Sequence, residues 1–469
     1  MKAIEIPPEI LCEVLSYFST TLIVNRTSSF PWYLGHICAS WRATFLSMHQ
    51  FWTRIDINLL SWSLEPVEEL TALSYHAFEL VQMFLERTQG RLFAFRYQAP
   101  YNSALQMDPL ETRRDHQILH ALADCSDRWV GASLSLYESD LHILQPVKGR
   151  LPHLRMLETH YLVEDNRELD HPYIDVFRDV ALEHVYLVRP MSWAIDYTGL
   201  SSLYIGELRL FETELFLELL RQTHCLQELV VLQTWVAAFP RKSTPPVMLP
   251  HVKLFAIGGG IVLFPFLMIP ALEDFSVYTG GFNPHFQPTI LAFLACHHQI
   301  RSFTAYNCMS EDMFAFLEYM PNLTSLSLCY VFPMLDVFMH LTHCRHHEEG
   351  GQVDIVAGQF VRPVLPKLRA LSMTSHLTRD EVFALAEMVD SRMWMSSAGD
   401  GPAVTHVREG GIQELTMHLA DYKRMYPLVS PTLSAMEEKG VEVSVDDDLQ
   451  DFGVQYVQRS QSFIFRCSK

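Results

Sequence analysis

Few residues in this sequence are spaced for chemistry. The densest group of metal-ligand types is His343-Cys344-Arg345-His346-His347, because imidazole and thiolate are common zinc donors. Adjacent residues on one loop or helix rarely converge on one ion, and no second Cys/His pair lies at finger spacing nearby, so an incidental polar segment is expected and no metal. His297-His298 stands at the end of a helical pattern, where histidine suits the helix dipole. Gly258-Gly259-Gly260 follows an apolar run ending at Ile257, but it lacks the helix start that a phosphate cradle requires. A nucleophilic thiol needs a neighbouring base or a positive environment, and no cysteine here stands in a recognisable catalytic setting. No serine nucleophile elbow, kinase motif set or zinc-protease helix is present. The expectation is a chain that is not an enzyme and has neither catalytic residues nor a cofactor.

The informative spacing is apolar. Hydrophobic residues make up 49% of the chain and charged residues 19%, enough apolar material to offset the chain entropy that keeps polar segments unfolded. At 469 residues the chain exceeds one ordinary core, so it is several domains or an array that grows by repetition. The formal charge of -19, with no lysine- or arginine-rich stretch, argues against a nucleic-acid partner. Scattered cysteines in odd number do not form a secreted disulfide framework. Glu5, Pro7 and Pro8 interrupt what a secretory signal would need as an apolar core. Residues 254–270 carry no charge, but three glycines and Pro265 fit a buried strand and turn better than a membrane helix. The expected setting is intracellular, cytoplasmic or nuclear, with no membrane partner.

At the N-terminus, Pro7 and Pro8 suit a first helical turn, and Glu9 suits the positive end of its dipole. Ile10, Leu11, Val14, Leu15 and Phe18 then recur at three- and four-residue spacing as one wide apolar stripe, which must be covered. A second helix over 33–48 places Ile37, Cys38, Trp41 and Phe45 along one side, and Trp52, Ile55 and Ile57 follow as a strand-like alternation. One reading of this module is a cap closing the end of a larger repeat domain.

These residues also carry a resemblance. IPPEILCEVLSYF followed by HICASWRATFLSMHQFWTRIDI resembles the F-box family, especially the diverged F-boxes of fungal proteins, over about the first 58 residues. The match lies in the opening at Ile6 to Leu11, the Val14-Leu15 pair, the Cys38 to Arg42 segment and Phe51-Trp52. The segment between the helices is longer and more polar than the family's. The resemblance implies a small all-helical module, residues 1–58, docking on the adaptor subunit of a cullin-based ubiquitin ligase. On matching positions, Ile6, Pro7, Glu9, Ile10, Leu11, Val14, Ile37, Cys38 and Trp41 would form or support that contact.

Beyond residue 60 an apolar triplet of the form x-L-x-x-L-x-L recurs. Clear instances are Leu182-Val185-Leu187, Leu200-Leu203-Ile205, Leu226-Leu229-Val231, Val252-Phe255-Ile257, Leu272-Phe275-Val277, Leu323-Leu326-Leu328 and Leu368-Leu371-Met373. Weaker ones are Leu92-Phe95-Tyr97, Leu154-Leu157-Thr159, Ile300-Phe303-Ala305 and Ile412-Leu415-Met417. Amphipathic helical stretches separate several of them, so strand, turn, helix, strand is the expected order. The region resembles the irregular leucine-rich repeats that commonly follow an F-box. The expected fold class is α/β, a curved solenoid over 59–445 with parallel strands on its concave face and helices on its convex face. The alternative architecture is a doubly wound α/β domain. Residues 344–363 and 391–411 are expected as inserted loops, and 446–469 as an acidic tail. The functional expectation is a substrate-recognition subunit that holds an unknown protein target through the repeats; the alternative is a scaffold whose helices only cap the solenoid.

Overall fold

The computed structural model describes residues 6–16, 21–24, 33–59, 67–99, 109–162, 174–188, 190, 193–208, 213–232, 244–259, 261–278, 287–342, 365–375, 377–394, 412–419 and 422–446. The chain divides into two compact units, one ending at Gly206 and the other beginning at Glu207.

The first unit contains strands β1 (Leu22–Ile23), β2 (Arg54–Asn58), β3 (Phe93–Gln98), β4 (Trp129–Tyr137), β5 (Met156–Leu162), β6 (His184–Leu187) and β7 (Ser202–Ile205). Each pairs in parallel with the next in chain order. Its helices are α1 (Pro8–Ser16), α2 (Leu34–Ile37), α3 (Ala39–Ser47), α4 (Val67–Arg87) and α5 (Pro109–Asp124).

The second unit repeats the plan with β8 (Glu228–Val231), β10 (Leu254–Gly258), β12 (Asp274–Tyr278), β13 (Ser302–Tyr306), β14 (Ser325–Cys329), β15 (Ala370–Ser375), β16 (Glu414–Leu419) and β17 (Glu442–Asp446), again parallel and in chain order. β9 (Val247–Met248) and β11 (Leu267–Met268) form a separate two-stranded ladder. The helices are α6 (Thr213–Leu220), α7 (Gln287–Ala295), α8 (Ser310–Glu318), α9 (Met334–Leu341), α10 (Arg379–Trp394) and α11 (Tyr422–Glu438), of which α7 to α11 pack neighbour on neighbour in a second layer.

The triplet explains this plan. Its middle residue lies on the core face, and the strands pair so that middle residues stand opposite one another. In the first unit Ile55, Phe95, Ala132, Leu157, Val185 and Leu203 form one column. In the second, Leu229, Phe255, Phe275, Phe303, Leu326, Leu371 and Leu415 form another. All are at most 1% exposed. The rings of Phe255, Phe275 and Phe303 stack at 6.0 and 5.6 Å, while residues between triplet positions alternate to the free face. Each unit is thus a parallel-strand solenoid of leucine-rich-repeat type, and the doubly wound alternative falls because strand order never reverses within either sheet.

Several expectations need correction. The N-terminal module is not all-helical: β1 lies inside it, and the run containing Ile55 and Ile57 is β2, bonded to both β1 and β3. The long second helix breaks at Cys38, whose extended backbone (φ -161°, ψ 172°) separates α2 from α3. Leu92 is exposed ahead of β3, so that triplet has no buried first position. The break expected from residue 391 starts later, because α10 runs to Trp394 and buries Ser391 and Arg392. Residues 344–363 and 395–411 and the tail beyond Asp446 lie outside the described residues. Residues 254–270 form β10, a 3-10 turn and β11, and no helix among the described residues is long and apolar enough to cross a membrane.

The two faces of one strand should respond differently to truncation. Phe303→Ala, in the buried column, should lower unfolding free energy by about 3–5 kcal/mol. Thr304→Ala, on the free face of the same strand, should stay within about 0.5 kcal/mol of wild type. Urea unfolding of both variants checks this, and equal effects would refute the assignment of faces.

Candidate functional site: an open apolar stripe on the N-terminal helices

The N-terminal helices are anchored through their inner side. Leu11 and Leu15 of α1 and Leu34, Thr44 and Phe45 of α2 and α3 are buried, and α1 packs on α3. Phe45 meets the rings of Phe51 and Trp52 at 5.4 and 5.2 Å. Both rings are fully buried, and the Arg87 guanidinium at the end of α4 lies 5.5 Å from the Trp52 ring centre. Polar bonds fasten the turns: Arg42 Nε donates to the Gly35 carbonyl at 2.7 Å, and Gln50 Nε2 to the Leu15 carbonyl at 3.4 Å.

The outer side is open and apolar. The stripe expected to be covered as a whole is split by the fold. Leu11 and Leu15 are 1% and 2% exposed, whereas Ile6, Ile10 and Val14, spaced four residues apart, are 41%, 56% and 47% exposed. On α2, Ile37 is 50% exposed, and Cys38 beside it is exposed too. Pro7 and Glu9 are exposed at the start of α1, and the Pro7 carbonyl accepts the Leu11 amide at 3.0 Å. Trp41 is half-buried. Of the residues assigned to adaptor contact by resemblance, seven are therefore exposed, while Leu11 belongs to the packing beneath them and Trp41 lies between. Tyr33, also exposed just before α2, opened the expected second helix but lay outside the apolar side read for it.

The free faces of the two sheets differ. In the first unit Asp56, Arg96, Ser133, Glu158 and Tyr186 form one row, in which Arg96 pairs with Asp56 at 3.4 Å. Ser133, Glu158 and Tyr186 in that row are buried, and Glu158 also bonds His160 at 2.7 Å. In the second unit the corresponding row starts with buried Val230 and Ala256 and continues as hydroxyls, with Ser276, Thr304, Ser327, Ser372 and Thr416 in register and all half-exposed. From β12 onward the second sheet is therefore open.

The other motifs have structural roles. A Cβ on Gly258 would lie 1.9 Å from the Leu232 carbonyl oxygen of the preceding rung, so glycine is required by close backbone approach rather than by phosphate. His297 is buried behind α7 as a neutral ring. Its Nδ1 donates to the Phe293 carbonyl at 2.6 Å, and its Nε2 accepts the Ile269 amide at 3.3 Å. That geometry replaces the dipole role expected of it. Among the described residues no group of His, Cys, Asp or Glu is placed to hold a metal; the cluster at 343–347 lies outside them.

The class these features define is a pair of parallel leucine-rich-repeat-type stacks preceded by helices with an open apolar stripe. No family model and no curated protein sequence matches the chain. Among solved structures it is similar to one titled as a TLR13–ssRNA13 complex, at 14% identity and a TM-score of 0.36, over 63% of this chain and 37% of that one.

The His297 geometry has a pH consequence. Burial holds its pKa below the ordinary 6.5, so the unfolded chain binds the proton more readily than the folded one. Its contribution to stability is present above the unfolded pKa and is lost as pH falls through that value toward the folded one. Urea midpoints measured from about pH 8 to about pH 5 should fall for wild type. In His297→Gln the midpoint at the higher pH should drop, and the part of the slope due to this ring should vanish; an unchanged slope would reject the neutral-ring assignment.

Proposed function

We propose that this chain is the substrate-recognition subunit of an F-box-type cullin ubiquitin ligase, docking on the adaptor through α1 and α2 and holding a protein target through its repeats. The observation supporting this reading is the exposure of Ile6, Ile10 and Val14 along α1 and of Ile37 on α2, residues that the F-box resemblance assigns to adaptor contact. A module that only caps a solenoid needs a polar outer face for solubility. Exposed isoleucines at helical spacing instead suit helix-in-groove recognition, in which a few apolar anchors carry most of the affinity.

The function follows from geometry without chemistry by this chain. Binding the adaptor on one element and a target on another raises the concentration of a target lysine near a ubiquitin thioester carried by another subunit. No catalytic residue, metal or cofactor is required, and free cysteines such as Cys38 and Cys225 suit a reducing intracellular compartment. The scaffold reading rests on the same inner packing of Leu11, Leu15 and Phe45 but leaves the outer stripe without a role.

The exposures dictate which substitutions are informative. Ile10→Asp and Ile37→Asp change exposed side chains and should leave the circular dichroism spectrum unaltered. Each should weaken co-elution with a purified adaptor subunit by about 2 kcal/mol, roughly thirtyfold. Leu11→Asp would unfold the module and is uninformative. If wild type does not bind adaptor, or the two variants bind as well as wild type, the ligase reading fails and the scaffold reading takes its place.

A further inference from the structure

Three tyrosines on successive rungs of the second unit form a row outside the adaptor-docking stripe. Tyr278 and Tyr306 are register partners at the ends of β12 and β13, with ring centres 4.8 Å apart. Tyr330, one residue beyond β14, stands edge-on to Tyr306 at 5.4 Å. Val277 and Ala305, the residues preceding two of them, are buried, so alternation places Tyr278 and Tyr306 on the free face. Burial, with the other two rings beside it, pushes the Tyr306 hydroxyl up to about 12.

The chain continues this surface at the same end of the strands. Met309 and Phe332, three residues beyond Tyr306 and Cys329, pair in an isolated parallel bridge, and both are exposed along with Tyr278. Helix α8 starts at the residue after Met309 and α9 two residues after Phe332, with Glu311, Asp312 and Asp336 in their first turns. None of the three has an ion-pair partner among the described residues. Burial, and then the neighbouring Glu311, pushes the Asp312 carboxyl above its ordinary value.

Exposed aromatic and apolar surface on adjoining rungs is the kind that partners cover. A surface that carries both aromatic faces and, at the helix starts that follow, carboxylates without an ion pair favours a cation, because ring quadrupole and carboxylate attract the same charge. The rings are laid in a row across three rungs, which suits an extended segment with several side chains better than a single enclosed group. The half-exposed hydroxyls of Ser276, Thr304 and Ser327 line the next row and can accept or donate to its backbone. The chain's formal charge of -19 favours approach by a basic partner.

We infer that this edge of the second unit binds a basic segment of a partner protein, with arginine or lysine over the tyrosine faces and near the carboxylates, and apolar side chains against Met309 and Phe332. The inference deepens the receptor reading by naming the target's chemistry and rests on that reading only for its purpose in the cell. Its test uses the chain alone, so adaptor docking and this surface succeed or fail separately.

A display library of short random peptides should be panned against the full chain, against Tyr278→Ala/Phe332→Ala and against Glu311→Gln/Asp336→Asn. All four positions are exposed, and circular dichroism checks that the folds match. The expected winners carry arginine or lysine beside apolar residues. By fluorescence anisotropy, one synthesised winner should bind both variants at least about tenfold more weakly than wild type, with affinity falling as salt rises. No enrichment, winners without a basic bias, or undiminished binding by the variants would each overturn the inference. So would a concentration-dependent dimer that the first variant abolishes, because the face would then join two copies of this chain.

Discussion

One constraint governs the molecule: no rung can bury its apolar side by itself. A strand of four to six residues and a short helix leave a middle residue such as Phe275 covered only when Phe255 and Phe303 stand on either side of it. Burying one such side chain stabilises by about 1.5–3 kcal/mol, and the gain exists only in register. A one-residue slip would turn the column to the free face and bring the hydroxylated row, Ser276, Thr304 and Ser327, into the core. Register is therefore enforced by a penalty that falls on two neighbours at once. The same closeness explains Gly258, where the backbone of one rung nearly touches the next.

A stack built this way must cover its first rung, and in the first unit the N-terminal helices do so. Phe51 and Trp52 turn the chain into β2 and are wholly buried, so the helices continue the core of the first rungs instead of standing apart from it. That continuity sets the inner side of α1, and nothing in it demands Ile10 or Val14 on the outer side. Exposed isoleucine on a terminal helix weakens solubility without adding to the stack. The proposed docking would give that outer side a role that capping does not.

How much of this was legible in the sequence follows from which physics leaves a pattern. The column was legible at Val185 and, from Leu203 to Leu371, where leucine or phenylalanine fills it, because strand alternation and rung spacing impose fixed offsets. It was illegible at β4, whose column residue is Ala132 between Gly131 and Ser133, and at β17, which uses valines at Val443 and Val445; those side chains signal a strand without signalling a repeat. Helical periodicity found the apolar residues of α1 but could not divide Leu11 and Leu15 from Ile10 and Val14, since spacing records hydrophobicity and not what stands opposite. The break at Cys38 depends on backbone angles that no local composition marked. Tyr278, Tyr306 and Tyr330 escaped notice because they are close only through register, being 28 and 24 residues apart in sequence.

Irregular rung spacing is the feature that most obscures the repeat, and at the connection between α9 and β15 one buried cation ties the two described ends together. Arg392 in α10 donates through Nε and Nη2 to the Leu341 carbonyl at 3.1 and 2.8 Å, and through Nη1 to the Leu365 carbonyl at 3.0 Å. Leu341 closes α9, where the helix dipole is negative, and Leu365 is where the described chain resumes in a left-handed turn (φ 54°). Burial lowers the Arg392 pKa to about 10, which still leaves it charged at neutral pH, so the cost of desolvating a guanidinium is offset by two acceptors that would otherwise lose their partners. Both ends of the excursion after α9 are thus held to one side chain. Lengthening a connection whose ends are fixed adds closure entropy only as the logarithm of its length, and β15 re-enters with Leu371 opposite Leu326 as though no residues had intervened. The repeat is conserved in register rather than in period, which is why a strict sequence period is absent from a chain whose core is strictly stacked.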